Sequence, residues 1–187
     1  MSATRSRPEP STRRGFALRP ASPADAPAIA DVLRAAFAAY DGLLQPRPGA
    51  LSETAESIAA AFADHRGFVA LPDAARADAV GVDAARADAA DGRAVGSVLY
   101  RREGEGLYLG RLGVLPPWHG KGVGAALVEQ VLAAGRAEGA GRVILNVRIL
   151  LPANVAFFRR LGFREAALGT HAGFSAPTYH VMERRLP

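Results

Sequence analysis

The residues best placed to do chemistry in this chain are His119-Gly120-Lys121-Gly122-Val123-Gly124. Glycine at every second position leaves backbone N–H groups unshielded, and the loop stands between an apolar run, Leu107 to Leu115, and an amphipathic run, Ala125 to Ala137. A strand-loop-helix junction of this kind offers unpaired donors and the partial positive charge of a helix start, which together seat a phosphate or pyrophosphate. Two phosphate motifs fit it poorly. Gly120-x-Gly122-x-x-Ala125 matches a dinucleotide fingerprint in form, but the next strand ends in Asn146-Val147-Arg148, without the acidic residue that binds a ribose hydroxyl. A P-loop needs Ser or Thr after its lysine, and here Gly122 follows Lys121.

The elements that must position this loop are readable from spacing. Phe16 to Arg19 forms a short strand, and Ser22-Pro23 with Asp25 marks a helix start. Ile29, Val32, Leu33, Phe37 and Tyr40 then recur at helical intervals. A second helix is expected from Ser52, as its cap, through Ile58 to Phe62, followed by a strand from Gly67 to Leu71. Val95 to Arg101 and Leu107 to Leu115 form a hairpin about the turn Glu103 to Gly106, and Pro116-Pro117 ends it. After the loop, Leu127, Val128, Val131 and Leu132 make one helical stripe, with Gly139 and Gly141 as the stop. Arg142 to Val147 is expected to be a buried strand, Pro152 to Leu161 a short helix stopped by Gly162, and Phe163 opens a final section whose last strand is Tyr179 to Met182.

Bulk properties narrow the classes. A chain of 187 residues suits one domain. That domain is expected over 16–187, with 1–15 a disordered tail rich in Arg, Ser and Pro that lacks the apolar segment of a secretory signal. Within it, 72–92 is a low-complexity loop insert in which Asp73 to Ala79 recurs as Asp83 to Ala89; two short Ala-Asp-Arg copies offer little to bury, and no function attaches to them. The absence of cysteine excludes disulfides, thiolate metal sites and a cysteine nucleophile, and fits a cytoplasmic location. The net charge of +5 comes from scattered arginines, Lys121 being the single lysine, without interleaved aromatics; it indicates a solvated basic surface with no nucleic acid as partner, and with no apolar run long enough to span a bilayer no membrane is expected either. His65, His119, His171 and His180 have no ligand spacing, no Gly-x-Ser-x-Gly occurs, and Glu103 with Glu105 sits in a turn, so metal, serine-nucleophile and paired-carboxylate chemistry are all weak.

The wider pattern resembles the GNAT superfamily of N-acetyltransferases. Its acetyl-CoA motif, Gln/Arg-x-x-Gly-x-Gly/Ala after a strand ending in Val-x-Pro, has its counterpart in Val114-Leu115-Pro116 followed by His119 to Gly124, with His119 where the family has Gln or Arg. A second signature, an Asn and a short helix ending in Tyr-x-x-x-Gly-Phe, is met by Asn154 to Phe158 and Gly162-Phe163. The resemblance implies an α/β (α+β) fold, a central mixed and mostly antiparallel sheet flanked by helices, with two adjacent strands splayed around acetyl-CoA. It also implies that the N–H groups of Gly120, Gly122, Val123, Gly124 and the adjoining Ala125 hold pyrophosphate, with Lys121 adding charge. The backbone at Leu112, Gly113 and Val114 would pair with the pantetheine arm, and Asn154 with Phe157 and Phe158 would flank it.

In such transfer an amine attacks the thioester directly once both are held in place. Deprotonating an alkylammonium near neutral pH costs about 4 kcal/mol, and a donor to the developing oxyanion is worth about 3 kcal/mol. The chain departs from the family at both usual side chains: Gly110 stands at the glutamate base and Phe158 at the tyrosine acid. Catalytic candidates that remain are His171, Tyr108 and Tyr179. Each has a plain structural reading beside the functional one. His171 suits a loop cap, Tyr108 a cross-strand contact, Asn154 a helix cap, Phe157 and Phe158 the core, and Arg148 either solvent or an acidic substrate. The expected function is an acetyl-CoA-dependent N-acetyltransferase acting on the amine of a small molecule or peptide. A cofactor-binding module without turnover and, further off, a dinucleotide-binding oxidoreductase are the alternatives, and a homodimer is open to it.

Overall fold

The computed structural model describes residues 15–73 and 93–187. Among them, strands β1 (Phe16–Pro20), β2 (His65–Pro72), β3 (Gly96–Glu103), β4 (Gly106–Val114), β5 (Arg142–Arg148), β6 (Arg164–Gly169) and β7 (Tyr179–Arg185) form one open sheet in the order β1-β2-β3-β4-β5-β7-β6. Four α-helices accompany it: α1 (Ala26–Phe37), α2 (Ala55–Ala61), α3 (Val123–Ala137) and α4 (Pro152–Arg160). The repeat from Ala74 onward and the tail before Gly15 lie outside the described residues.

Every pairing in the sheet is antiparallel except β4 with β5. These two are joined through α3, and a helical crossover is what parallel neighbours require. Their ladder holds only Leu107↔Val143 and Tyr108↔Ile144, although β4 runs on to Val114 and β5 to Arg148. The two strands therefore part after one pair of rungs, as the family resemblance implied.

Helices cover both faces. Ile29, Val32, Leu33 and Ile58 from α1 and α2 pack on Val69 and Leu99, while Leu127, Val131 and Leu132 of α3 and Val155 and Phe158 of α4 pack on Val98, Leu107, Val143 and Leu145. Fully burying such side chains stabilises by roughly 1.5–3 kcal/mol each, so the sheet is clamped where it must carry the loop. Strand β5 alternates, with Val143, Leu145 and Val147 buried under α3 and α4 and Asn146 exposed on the opposite face. It is half-buried where the sequence suggested burial on both sides. The period-2 pattern was present, but apolar Ile144 blurred it.

One other expectation needs correcting, and two features carry little sequence signal. The cap of α2 is Thr54, whose hydroxyl accepts from Ser57 N–H (3.1 Å) while Ser57 Oγ accepts from Thr54 N–H (2.9 Å). Ser52 instead closes a 3-10 turn, Gly49–Ser52, so the reciprocal pair three residues apart determines the start. Strand β6 was absent from the sequence reading because it is an edge strand exposed along nearly its whole length, which erases alternation. Strand β4 carries a bulge: three steps from Gly110 to Gly113 oppose two from Leu99 to Ser97, and Arg111 adopts φ +48°.

Candidate active site

The glycine loop behaves as its composition requires. Gly120 has φ +74° and Gly122, the N-cap of α3, has φ +81°, a left-handed backbone that costs other residues about 1–2 kcal/mol. A Cβ at either position would meet nothing within 4 Å, so conformation and not crowding calls for glycine. No side chain caps α3, and its first backbone bond runs from Ala126 N–H to Gly122 C=O (3.0 Å). The N–H groups of Val123, Gly124 and Ala125 thus precede the helical ladder and face outward as donors. Trp118, 1% exposed, anchors the loop; the Lys121 ammonium lies 5.3 Å from its ring centroid. His119 is exposed, and its Nε2–H donates to the Val114 carbonyl (2.8 Å), tying the loop to the end of β4.

The second motif arrives beside the first. A Cβ on Gly124 would sit 3.4 Å from Phe157 Cζ and 3.6 Å from Val114 Cγ2, so the first turn of α3, the end of β4 and α4 converge there. Leu112, Gly113 and Val114 lie beyond the last β4–β5 rung, along the parted edge. Asn154 is the third residue of α4, whose N-cap is Leu151. It caps nothing: its backbone N–H donates to the Leu151 carbonyl (3.0 Å), while its side-chain amide makes no hydrogen bond among the described residues. Phe158 is 8% exposed and meets Phe163 and Phe157 edge-on, at 5.6 and 5.0 Å between centroids. It belongs to the core, and Phe157 is the ring beside the loop.

On the face covered by α1 and α2, a cleft of about 280 Å³ opens between β4, β5, β7 and the chain that links the two helices. All three catalytic candidates, Tyr108, His171 and Tyr179, line it. The Tyr179 ring lies over Gly169, where a Cβ would come within 2.2 Å of it, and meets His171 edge-on at 4.9 Å. Tyr108 turns its ring toward Gly110, filling part of the space that a side chain there would take. Burial pushes the Tyr108 phenol above its ordinary range, helped by Glu103 and opposed by Arg101. His171 is pushed down, first by burial and then by the Arg148 guanidinium, so it is neutral at pH 7.

The hydrogen bonds of His171 determine what it can offer. Thr178 Oγ1 accepts from His171 N–H (3.0 Å) and lies 2.5 Å from Nδ1; Arg148 Nη1 lies 3.4 Å from the same nitrogen and has only protons to give. Nδ1 therefore accepts, which puts the ring proton on Nε2 and makes neutral His171 a donor toward its surroundings.

Sequence reasoning missed Glu53 and Arg111, which also line the cleft. Arg111 Nε donates to Glu53 Oε1 (2.6 Å) and its Nη1 to His65 Nε2 (3.3 Å); the other His65 nitrogen donates to Asp64 (2.5 Å) and to the Ala61 carbonyl (3.1 Å). Ser57 Oγ donates to the second Glu53 oxygen (2.5 Å). This chain holds the bulge of β4 in place through its positive-φ residue. The one local sign was the pair of glycines, Gly110 and Gly113, flanking it inside a strand. Among the described residues no cluster of His, Cys, Asp and Glu could hold a metal ion, and no helix is long and apolar enough to cross a membrane.

Comparison with known proteins gives a consistent picture. A family model described as the acetyltransferase (GNAT) family matches residues 51–163. An uncharacterized N-acetyltransferase of Mycobacterium tuberculosis, with a counterpart in Mycobacterium bovis, is 38% identical over 87 residues, 43% of this chain and 56% of the relative. The match thus spans about half the length of these curated relatives. Among solved structures, a PaiA N-acetyltransferase from Thermoplasma acidophilum in complex with coenzyme A superposes with a TM-score of 0.66 at 16% identity, covering 91% of this chain and 98% of that one. The Escherichia coli ribosomal-protein-S18-alanine N-acetyltransferase gives 0.65 at 16%, over 91% and 94%. Nourseothricin acetyltransferase gives 0.53 at 27%, over 66% of each chain. At 16% identity the first two speak for the fold alone.

Proposed function

The chain belongs to the GNAT acetyltransferase family, and we propose that it transfers acetyl from acetyl-CoA to the amine of a small molecule or peptide by direct attack. The observation that carries this reading is the convergence at Gly124. There β4 has left β5, α3 begins on a left-handed glycine, and Phe157 closes on both.

The residues present fit the cofactor. The N–H groups of Gly120, Gly122, Val123, Gly124 and Ala125 would take the pyrophosphate, with the charge of Lys121 beside them. Backbone at Leu112, Gly113 and Val114 would pair with the pantetheine arm, and the Asn154 amide with the Phe157 ring would flank it. Acetyl-CoA supplies an activated acyl carbon and a thiolate leaving group.

The acceptor amine forms the C–N bond through its lone pair as the C–S bond breaks and the pair leaves on sulfur. An N–H of the bulged β4 backbone is the donor suited to the charge that builds on the thioester oxygen. Tyr108, held protonated by burial, is the acid of the cleft; its hydroxyl gives a proton to the thiolate and regains one from the water that takes the amine's proton. Glu53 is engaged by Arg111 and Ser57, and His171 offers Nε2–H and no lone pair. The amine's proton therefore goes to water through the cleft mouth. The Arg148 guanidinium, without an acidic partner among the described residues, disfavours an ammonium there, which lowers the cost of about 4 kcal/mol for its deprotonation.

A binding module without turnover is the second reading, favoured by the missing side chain at Gly110 and the buried Phe158. Thermal-shift measurements with acetyl-CoA, CoA and NADPH, followed by thiol release across amines, amino acids and peptides, separate the two. Stabilisation by acetyl-CoA with release on adding an acceptor is expected. Stabilisation with no release from any acceptor establishes the module, and no stabilisation by either CoA species defeats both.

A further inference from the structure

We propose that the acceptor amine also carries a carboxylate, as an amino acid or short peptide does, and that Arg148 and His171 seat it. The inference rests on the acetyl-transfer reading and names the substrate class of that same cleft.

Charge balance is the first ground. Two guanidiniums line the cleft, Arg111 and Arg148, against one carboxylate, Glu53. Glu53 is 2.6 Å from Arg111, so that pair cancels. Arg148 has no acidic partner among the described residues; its contacts are the Gln45 carbonyl (3.1 Å), the Pro46 carbonyl (2.6 Å) and His171 Nδ1 (3.4 Å). A part-buried guanidinium facing only neutral groups keeps its full attraction for an anion.

Donor geometry is the second. Nη1 of Arg148 spends both protons on Gln45 and His171, and Nη2 spends one on Pro46, which leaves Nε–H and the other Nη2–H. Those two adjacent protons form the fork that a carboxylate accepts in bidentate fashion. Because Nδ1 faces Thr178 Oγ1 (2.5 Å) and Arg148 Nη1 (3.4 Å), neutral His171 turns Nε2–H outward, and the Tyr179 hydroxyl stands in the same cleft. Arg148 and His171 offer only donors here and the Tyr179 hydroxyl can donate beside them, as a carboxylate requires and a second ammonium would not.

Placement is the third. Arg148 lies four residues beyond Ile144 on β5, and Gly113 lies five beyond Tyr108 on β4, one of them taken up by the bulge at Arg111, Tyr108↔Ile144 being the last rung. At about 3.3 Å per residue the two positions are level, about 13 Å past the rung, on opposite sides of the gap. An amine presented to a thioester at the β4 edge would have its carboxylate within reach of Arg148 only if the two groups share a short backbone. Amino acids and the ends of short peptides do.

The test measures thiol release from acetyl-CoA with matched pairs, amino acids against their amides and dipeptides against theirs, using the full chain. Wild-type protein is expected to favour each acid over its amide by at least tenfold in kcat/KM, mostly through KM. Arg148→Gln and Arg148→Lys are expected to bring the ratio within about threefold without changing the KM for acetyl-CoA. Since the readout is a ratio within one protein, partial loss of fold in a variant does not mimic the result. Equal handling of acids and amides by the wild type overturns the carboxylate seat and leaves the acetyl-transfer reading standing. If no amine releases thiol, that reading fails instead, and titration calorimetry of the CoA-loaded protein with the same pairs decides the seat: tighter binding of the acids, abolished in Arg148→Gln, supports it, and equal binding overturns it.

Discussion

Replacing Gly122 by alanine separates the backbone role of the glycine loop from its role as an anion seat. At φ +81° and ψ 3°, with nothing within 4 Å of a built Cβ, the substitution meets no side chain and incurs only the left-handed penalty, about 1 kcal/mol and at most 2. In a chain of this size 1 kcal/mol lowers Tm by roughly 2–4 °C. If the outward N–H groups hold pyrophosphate, the added methyl also stands over them. Losing one charge-assisted hydrogen bond, about 1.5–3 kcal/mol, then weakens acetyl-CoA binding by roughly tenfold to hundredfold. Gly139→Ala is the matched control, with φ +66°, nothing within 4 Å, and a position just past the far end of α3. Both variants should lose similar Tm without ligand, measured by calorimetry, while only Gly122→Ala loses affinity in an acetyl-CoA titration. Equal affinity for the two variants would refute the assignment of the loop, whatever their stabilities.

Other outcomes follow from single contacts. Tyr108→Phe keeps the ring beside Gly110 but removes the acid, so kcat in the thiol-release assay should fall at least fivefold with the KM for acetyl-CoA unchanged; an unaltered kcat removes Tyr108 from proton transfer. Gly169→Ala places a Cβ 2.2 Å from the Tyr179 ring and must swing it out of place, raising the acceptor KM several-fold while acetyl-CoA binding holds; an unchanged acceptor KM contradicts the cleft as the acceptor site. Asp25 accepts from Arg19 at 2.6 and 2.9 Å and from Ser22 N–H at 2.8 Å, and the Arg19 hydrogen bond chiefly lowers its carboxyl from 3.8 to about 2. A depressed folded-state value gives stability that is complete above pH 3.8 and is lost as pH falls through about 2. With an allowance for screening at the rim, Asp25→Asn should cost about 1–2 kcal/mol in urea unfolding at pH 7 and only a few tenths of a kcal/mol, roughly, near pH 2. A gap that stays constant across that range argues against the ion pair as its source.

Elements whose residues are neighbours in sequence are legible in the chain itself. Glycines at 120, 122 and 124 declare a loop that exposes its amides, because backbone conformation there depends on the residue itself. The stripe Leu127, Val128, Val131, Leu132 declares the helix behind it, and the β3–β4 hairpin follows from alternation and a glycine turn. The start of α2 was misplaced by two residues because Ser52 and Thr54 are equally good caps by type, and only the reciprocal bond with Ser57 distinguishes them.

The composition and order of residues thus determined where a pyrophosphate could sit and which family the chain joins. Tertiary structure decided what surrounds the reacting groups. Glu53 meets Arg111, Arg148 reaches back to Gln45 and Pro46, and Tyr179 settles on Gly169 through pairings that leave no period in the chain. The bulge at Arg111 and the proton on His171 Nε2 are likewise set by partners distant in sequence. Local propensity acts over a few residues, whereas the charge, tautomer and aim of a side chain depend on whatever the folded sheet brings within about 4 Å of it.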